Sequence, residues 1–307
     1  MPEYERVNAD MFERIDAAEI LPDEAARPNV TYWQDTWRRL KGNKPAVASL
    51  GAITLIVACT VFIPMIKPDY YTNHFEISNR WPGAAYWFGT DNFGRDIFTR
   101  IWFGARYSLI IAFAASFLNL VIGIVYGGVS GFAGGKTDLL MMRIVDVIYS
   151  IPRTIYVILF MVFLGPGLHS IIFALAVAYW LPMARLVRGE MLQLKEQEFI
   201  LAARVLGASS VRILFRHLIP NCMGQIIVMM TLSIPDAIFT EAFLSFIGLG
   251  IPVPRASWGT LASESIQYMR VAPYQLLFPS LAICLTMLAF NVLGDGLRDA
   301  LDPKMRD

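Results

Sequence analysis

The sequence predicts an all-α integral membrane protein with six transmembrane helices and both termini in the cytoplasm. Three observations carry that expectation. Hydrophobic residues make up 56% of the 307-residue chain and charged residues only 17%, against about 25% charged in a soluble domain. Apolar stretches recur at the length of roughly 20 residues that a spanning helix needs. Lys and Arg gather on one side of those stretches. The net charge of +1 argues against a nucleic-acid binder, which carries a strong basic excess.

The spans follow in order. Residues 46–66 carry no charge and make the first, and residues 107–133 make the second. Residues 154–184 also lack Asp, Glu, Lys and Arg, but "GPGLHS" at 165–170 interrupts them. Gly and Pro there mark a turn between two helices. Each half is too short to span alone. The third helix therefore starts within "DLLMMRIVDVIYSIP", and the fourth runs on past Arg185. About 221–247 makes the fifth span and about 272–296 the sixth. Asp146 and Arg153 lie two helical turns apart in the third span and are expected to be interfacial or mutually neutralising rather than substrate-binding. Fifteen basic residues fall near one face, from Arg38, Arg39, Lys41 and Lys44 through Arg185, Arg188 and Lys195 to Arg298. Six fall near the other. Cytoplasmic loops are enriched in Lys and Arg, so the richer face is read as cytoplasmic.

The chain thus divides into a cytoplasmic N-terminal tail at 1–45, a first span at 46–66, an extracytoplasmic loop at 67–103, a five-helix unit at 104–297 and a cytoplasmic tail at 298–307. Residues 1–20 are acidic and hold no apolar core, so no cleavable signal peptide is expected. Within 31–44, Trp33, Trp37 and Leu40 share one helical face, which suits a helix lying along the inner leaflet.

"ILAARVLGASSVRILFRHLIPN", residues 200–221, has three arginines and one histidine but no acid. With Glu198 ahead of Ala202, Ala203 and Arg204, it reads as one amphipathic helix whose charges suit the helix dipole. Gly207 ends it in the left-handed conformation, and Ala208 leads on. Ser209 or Ser210 caps a second short helix, which carries Arg212 and His217 and is closed by Pro220. On physical grounds this hairpin either lies on anionic lipid or docks on a partner protein.

Inside the fifth span, Asp236 and Glu241 are carboxylates at membrane depth. Such groups are costly and usually face the bundle interior or a wet cavity. They either line a translocation passage or make helix–helix hydrogen bonds. "GFAGGKTD" at 131–138 ends in Gly-Lys-Thr, but Ser130 stands where a phosphate loop has its first glycine, and no strand precedes it. It is read as a glycine turn. Neither a His-Glu-x-x-His zinc pattern nor a Gly-x-Ser-x-Gly elbow occurs, and Cys59, Cys222 and Cys284 show no metal-ligand spacing. The chain is expected to bind no cofactor or metal and to hold no catalytic residue.

The 200–221 stretch resembles the cytoplasmic coupling loop of ABC importer permeases. Ala202, Ala203, Gly207 and Pro220 fall on that family's pattern, while Leu201, His217 and Ile219 depart from it. "FGTDNFGRDIFTRIWFGARYSL" at 88–109, "EAFLSFIGLGIPVPRASWGTL" at 241–261 and "FNVLGDGLRDALDPKMR" at 290–306 resemble the dipeptide, oligopeptide and nickel branch. "YWQDTWRRLKGNKPAVASL" at 32–50 resembles the entry to the first span of the oligopeptide C-type subunit. The resemblance implies a type I ABC importer permease fold in a bacterial-type cell membrane. It implies a paralogous permease partner, two ATPase subunits that bind ATP and Mg, and an extracytoplasmic peptide-binding protein. The coupling loop at about 190–220 would sit in a cleft on an ATPase. A nickel importer shares the architecture. A secondary transporter or channel working without an ATPase is the alternative of a different class. From the basic bias, a reporter enzyme fused after Asp307 should be active only in the cytoplasm, and activity only outside the cell would contradict the orientation.

Overall fold

The computed structural model describes residues 31–301. The acidic stretch before residue 31 and the last residues of the expected tail, 302–307, lie outside the described residues. Eleven α-helices run through the described part: α1 Tyr32–Gly42, α2 Lys44–Ile66, α3 Ile97–Ala133, α4 Gly135–Tyr149, α5 Arg153–Leu164, α6 Leu168–Leu194, α7 Glu198–Val205, α8 Ser210–Ile213, α9 Ile219–Phe246, α10 Trp258–Ser265 and α11 Tyr274–Leu301. Five helical stretches are long and apolar enough to cross a membrane, and the bent pair α4–α5 makes a sixth. No β-strand is formed among the described residues. The end of the bundle carrying α7 and α8 is the loop end, and the opposite end is the far end.

Four boundaries differ from the sequence expectation, each for a physical reason. The second span begins at Ile97 rather than 107, because two arginines that broke the apolar count are held in place by acceptors. The Arg106 guanidinium donates to the carbonyls of Thr60 and Val61 at 3.0 and 3.2 Å, at the end of α2. Arg100 meets Asp91 at 2.6 Å and Glu264 at 3.0 Å. The loop before α3 therefore ends at Asp96, whose side chain caps the helix by accepting from the Phe98 N–H. The third span is broken at Ser150–Pro152 with a bend of 81°. The residue before a proline is pushed out of helical backbone, so α4 and α5 are separate rods. The stretch from Ser210 runs through into α9 instead of closing at Pro220. Lastly, α11 runs on to Leu301, so the tail expected to begin at 298 starts as helix.

The bundle is organised on α3. Its Gly123, Gly127 and Gly131 face α6 so closely that side chains do not fit. A Cβ on Gly127 would lie 2.3 Å from the Ala184 carbonyl oxygen, and one on Gly131 2.7 Å from the Met191 Cβ. Small residues let spanning helices approach where apolar burial alone gives no drive. At the loop end of this seam, Arg188 donates to both oxygens of Asp138 at 2.9 and 2.6 Å, and Ser130 adds a third bond at 2.7 Å. Gly134 (φ +66°) turns the chain from α3 into α4, at the glycine turn of "GFAGGKTD". Toward the far end, α3 packs with α5, α6, α9 and α10 in one core that includes Ile111, Met161, Leu175, Ile238 and Trp258.

On α1, Trp33 and Trp37 are exposed, while Leu40 on the same face is buried against Ala46 and Ala300. That contact ties α1 to α2 and α11, and the two tryptophans stay outside it. Hydrogen bonds from Arg39 and then Arg38 hold the Asp35 carboxyl below the usual carboxylate range.

Gly127→Ala should destabilise the protein by about 1–3 kcal/mol through overpacking of the α3–α6 seam. Gly128→Ala, where a Cβ meets nothing within 4 Å, should not. Thermal unfolding of the two purified variants reads the difference.

Candidate functional site

Two features stand out from the helical frame: a rigid hairpin at the loop end, and a chain of polar groups at membrane depth. The hairpin begins where α6 ends. Glu198 opens α7 and Arg204 lies in its last turn, which places charges of the right sign at both ends of the helix dipole. Gly207 has φ +79° and donates to the Arg204 carbonyl, while the Ala208 N–H donates to Ala203. A positive φ is the reason for a glycine here. Ser209 caps α8, its Oγ accepting from the Arg212 N–H at 3.4 Å.

A π-helical turn follows over Leu214–Leu218, in which the Ile219 N–H reaches back to the Leu214 carbonyl. This turn explains why Pro220 does not end the helix. Proline has no N–H to offer the carbonyl four residues back and its ring clashes there. The widened turn passes that point, and Pro220 sits in the first turn of α9, where a missing N–H costs nothing.

The underside of the hairpin is anchored. Ile200, Ile213 and Leu218 are buried with Val187 and Met191 of α6 and Cys222 and Ile226 of α9. The tip is bare. Val205 and Leu206 are each 87% exposed, and Val211 and Phe215 are also exposed. Of the residues singled out in the sequence, Glu198, Ala202, Arg204, Gly207, Ser209, Arg212 and Pro220 are exposed, and Ala203, Ala208 and His217 are half-buried. Arg204 and Arg212 make no ion pair within the described residues. The result is an apolar knob ringed by cations, carried on a fixed root.

The polar chain lies deeper. At about 1.5 Å per residue, Arg153, Tyr179 and Asp236 lie about 16, 16 and 15 Å from the far ends of α5, α6 and α9. That is near the middle of a hydrocarbon core of about 30 Å. The Arg153 guanidinium lies 4.8 Å from the centre of the Tyr179 ring. The Tyr179 hydroxyl is bonded to that of Thr240, and Thr240 donates to the Asp236 carbonyl at 2.8 Å. Arg153 and Asp236 are both exposed residues. Arg153 therefore does not neutralise Asp146, as its spacing suggested. The break at Pro152 separates them, and Asp146 pairs with Arg185 at 2.7 Å instead.

Glu241 is placed differently from Asp236. It is fully buried and accepts from Ser108 of α3 at 3.0 Å, from Ser245 at 2.8 Å and from Ser257, ahead of α10, at 2.5 Å. Of the two readings, passage lining or helix–helix hydrogen bonding, this geometry is that of the second: the carboxylate is enclosed by three hydroxyls and pins three segments together. The two carboxylates, five residues apart, thus face different surroundings. Sequence reasoning missed Tyr179, Thr240 and the three serines, because each is ordinary until its partner is known. It also missed the pairing of Asp138 with Arg188, although both charges near one face were visible. Among the described residues, no group of three or more His, Cys, Asp or Glu side chains could hold a metal ion.

Comparison with known proteins gives consistent likenesses. The family described as binding-protein-dependent transport system inner membrane component matches residues 119–307. The N-terminal transmembrane domain of oligopeptide transport permease C matches residues 31–82. An oligopeptide transport system permease protein of Bacillus subtilis is 48% identical over 303 residues, covering 98% of this chain and 99% of the relative. A dipeptide transport system permease protein of the same organism is 49% identical, covering 92% and 89%. A glutathione transport system permease protein of Escherichia coli is 40% identical, covering 94% of each. Among solved structures, a methionine ABC transporter in inward-facing conformations matches with a TM-score of 0.51 and 19% identity, over 65% of this chain and 94% of that chain. At that identity it speaks for the fold, a type I ABC importer permease.

Glu241→Ala should lower stability by about 2 kcal/mol or more, since hydroxyls left without an acceptor cost about 1–3 kcal/mol each. Glu241→Gln, which keeps an acceptor, should cost less. Tryptophan-fluorescence melting of the detergent-purified protein measures both.

Proposed function

The chain belongs to the family of binding-protein-dependent transport system inner membrane components, and from that premise we propose that it is one of two unlike permease subunits in an ATP-driven peptide importer. The observation that carries this is the hairpin: an exposed apolar knob with Val205 and Leu206 at its tip, fixed by Gly207 and rooted between α6 and α9. A surface of that kind, with unpaired Arg204 and Arg212, suits an acidic-rimmed cleft on an ATPase better than a lipid surface. Buried apolar anchors with a charged rim are the usual anatomy of a protein interface.

The substrate class comes from the relatives. Oligopeptides, dipeptides and glutathione share peptide linkages and charged ends, so peptide is the reading they favour over nickel. Membership of a binding-protein-dependent family favours an ATP-coupled importer over a secondary transporter or channel. ATP and Mg belong to two partner ATPase subunits, and selection among peptides rests largely with an extracytoplasmic binding protein. Closure of the ATPases draws the coupling hairpins together. Because the hairpin is locked to α6 and α9, the spans follow as a body, and the passage opens to one side at a time. The knob side is cytoplasmic in this reading, and the 67–96 and 248–273 segments face the binding protein.

Cysteines placed at Ala203 or Ala208 should crosslink to the ATPase in the assembled complex. Gly207→Val should leave folding and insertion intact but reduce ATP-driven peptide uptake, since a β-branched residue at positive φ is strained by about 1–2 kcal/mol or more. A complex that stays intact yet gives no crosslink in any nucleotide state would instead put the hairpin on lipid.

A further inference from the structure

Arg153 and Asp236 are opposite charges at one depth of the bundle, linked through Tyr179 and Thr240. Both are exposed, and neither is held in an ion pair with any described residue. The Tyr179 hydroxyl is spent on Thr240, and the Thr240 hydroxyl is spent on the Asp236 backbone rather than its carboxylate. Arg153 lies over Tyr179, Tyr179 is bonded to Thr240, and Thr240 donates to the Asp236 backbone, which puts the two charges in one neighbourhood. Acyl chains do not cover such groups, which at this depth face a wet cavity or another polar surface.

We propose that Arg153 and Asp236 form a subsite for the free ends of the transported peptide. Arg153 takes the terminal carboxylate, and Asp236 takes the terminal ammonium. This rests on the peptide-importer reading above. The geometry of Arg153 suits the task. Its guanidinium lies 4.8 Å from the Tyr179 ring centre and donates to no described residue, so its N–H groups are available to a bidentate carboxylate. Asp236 is acceptor-only when ionised, which matches an ammonium with donors and no acceptor. Neither group reads a side chain. Glu241, enclosed by its three serines, takes no part.

The test uses the full importer, with binding protein and ATPases, in proteoliposomes. The probes are trialanine, its C-terminal amide and its N-acetyl form, each at a concentration that saturates the binding protein. The unaltered complex should move trialanine about tenfold faster than either blocked form, the size of one charge-assisted hydrogen bond. Arg153→Gln should remove the preference for acid over amide and keep the preference for free amine over N-acetyl. Asp236→Asn should do the reverse. Arg153→Lys, which keeps the charge, should retain most of the acid preference. Equal slowing of all three probes by each variant would assign the charges to pairing with the partner permease and overturn the proposal, as would unchanged ratios. No ATP-driven uptake of any probe by the unaltered complex would sink the peptide-importer reading, and this proposal with it.

Discussion

The close approach of α3 and α6 is the contact on which the rest of the fold depends. Gly123, Gly127 and Gly131 leave no room for a side chain between the two helices, and the Asp138–Arg188 pair closes the seam at the loop end. With that pair of helices fixed, α3 has its remaining surfaces free to hold everything else. Its far end carries the Arg100 knot to Asp91 and Glu264, which fastens the loop ahead of α3 to α10. Its Ser108 reaches Glu241 on α9. The Arg106 guanidinium holds the end of α2. In turn α6 carries Val187 and Met191, against which the hairpin is seated.

Membrane physics explains the pattern of polar groups. Inside a bilayer a charge is tolerated only if something satisfies it, and this chain meets that demand in three ways. Glu241 is enclosed by hydroxyls. Asp138 and Asp146 are paired across to α6. Arg100 and Arg106 are held at the far end by carboxylates and by carbonyls. Arg153 and Asp236 are a mid-depth pair with no ion-pair partner among the described residues, and in the proposed reading they meet the transported peptide. A charge satisfied inside the subunit holds it together. One left open faces whatever passes or packs beside it.

Much of this was legible in the sequence, for identifiable reasons. The all-helical class and the spans came from apolar length, which burial does not alter. The hairpin was visible because Gly207 and Ser209 have local jobs, a positive φ and a cap, that need no tertiary partner. What sequence reasoning missed were features made by distant partners. The start of α3 was misplaced because Arg100 and Arg106 look like span breakers until Asp91, Glu264 and the α2 carbonyls are brought to them. Pro220 looked like a helix end because the π-helical turn at 214–218 cannot be read from composition. Asp236 and Glu241 looked alike because their difference lies in three serines, two of them far away in sequence.

The central claim is that the hairpin and the α3–α6 pair move as one body. Distances between spin labels test it directly, with one label at Val205 on the hairpin tip and the other at Phe117 on the exposed face of α3. In the assembled complex the distance should be the same without nucleotide and with ATP trapped in the closed ATPases, while a label on the ATPase changes its distance to Phe117. A Val205–Phe117 distance that changes with nucleotide would mean that the hairpin moves on a flexible root, and would contradict the account.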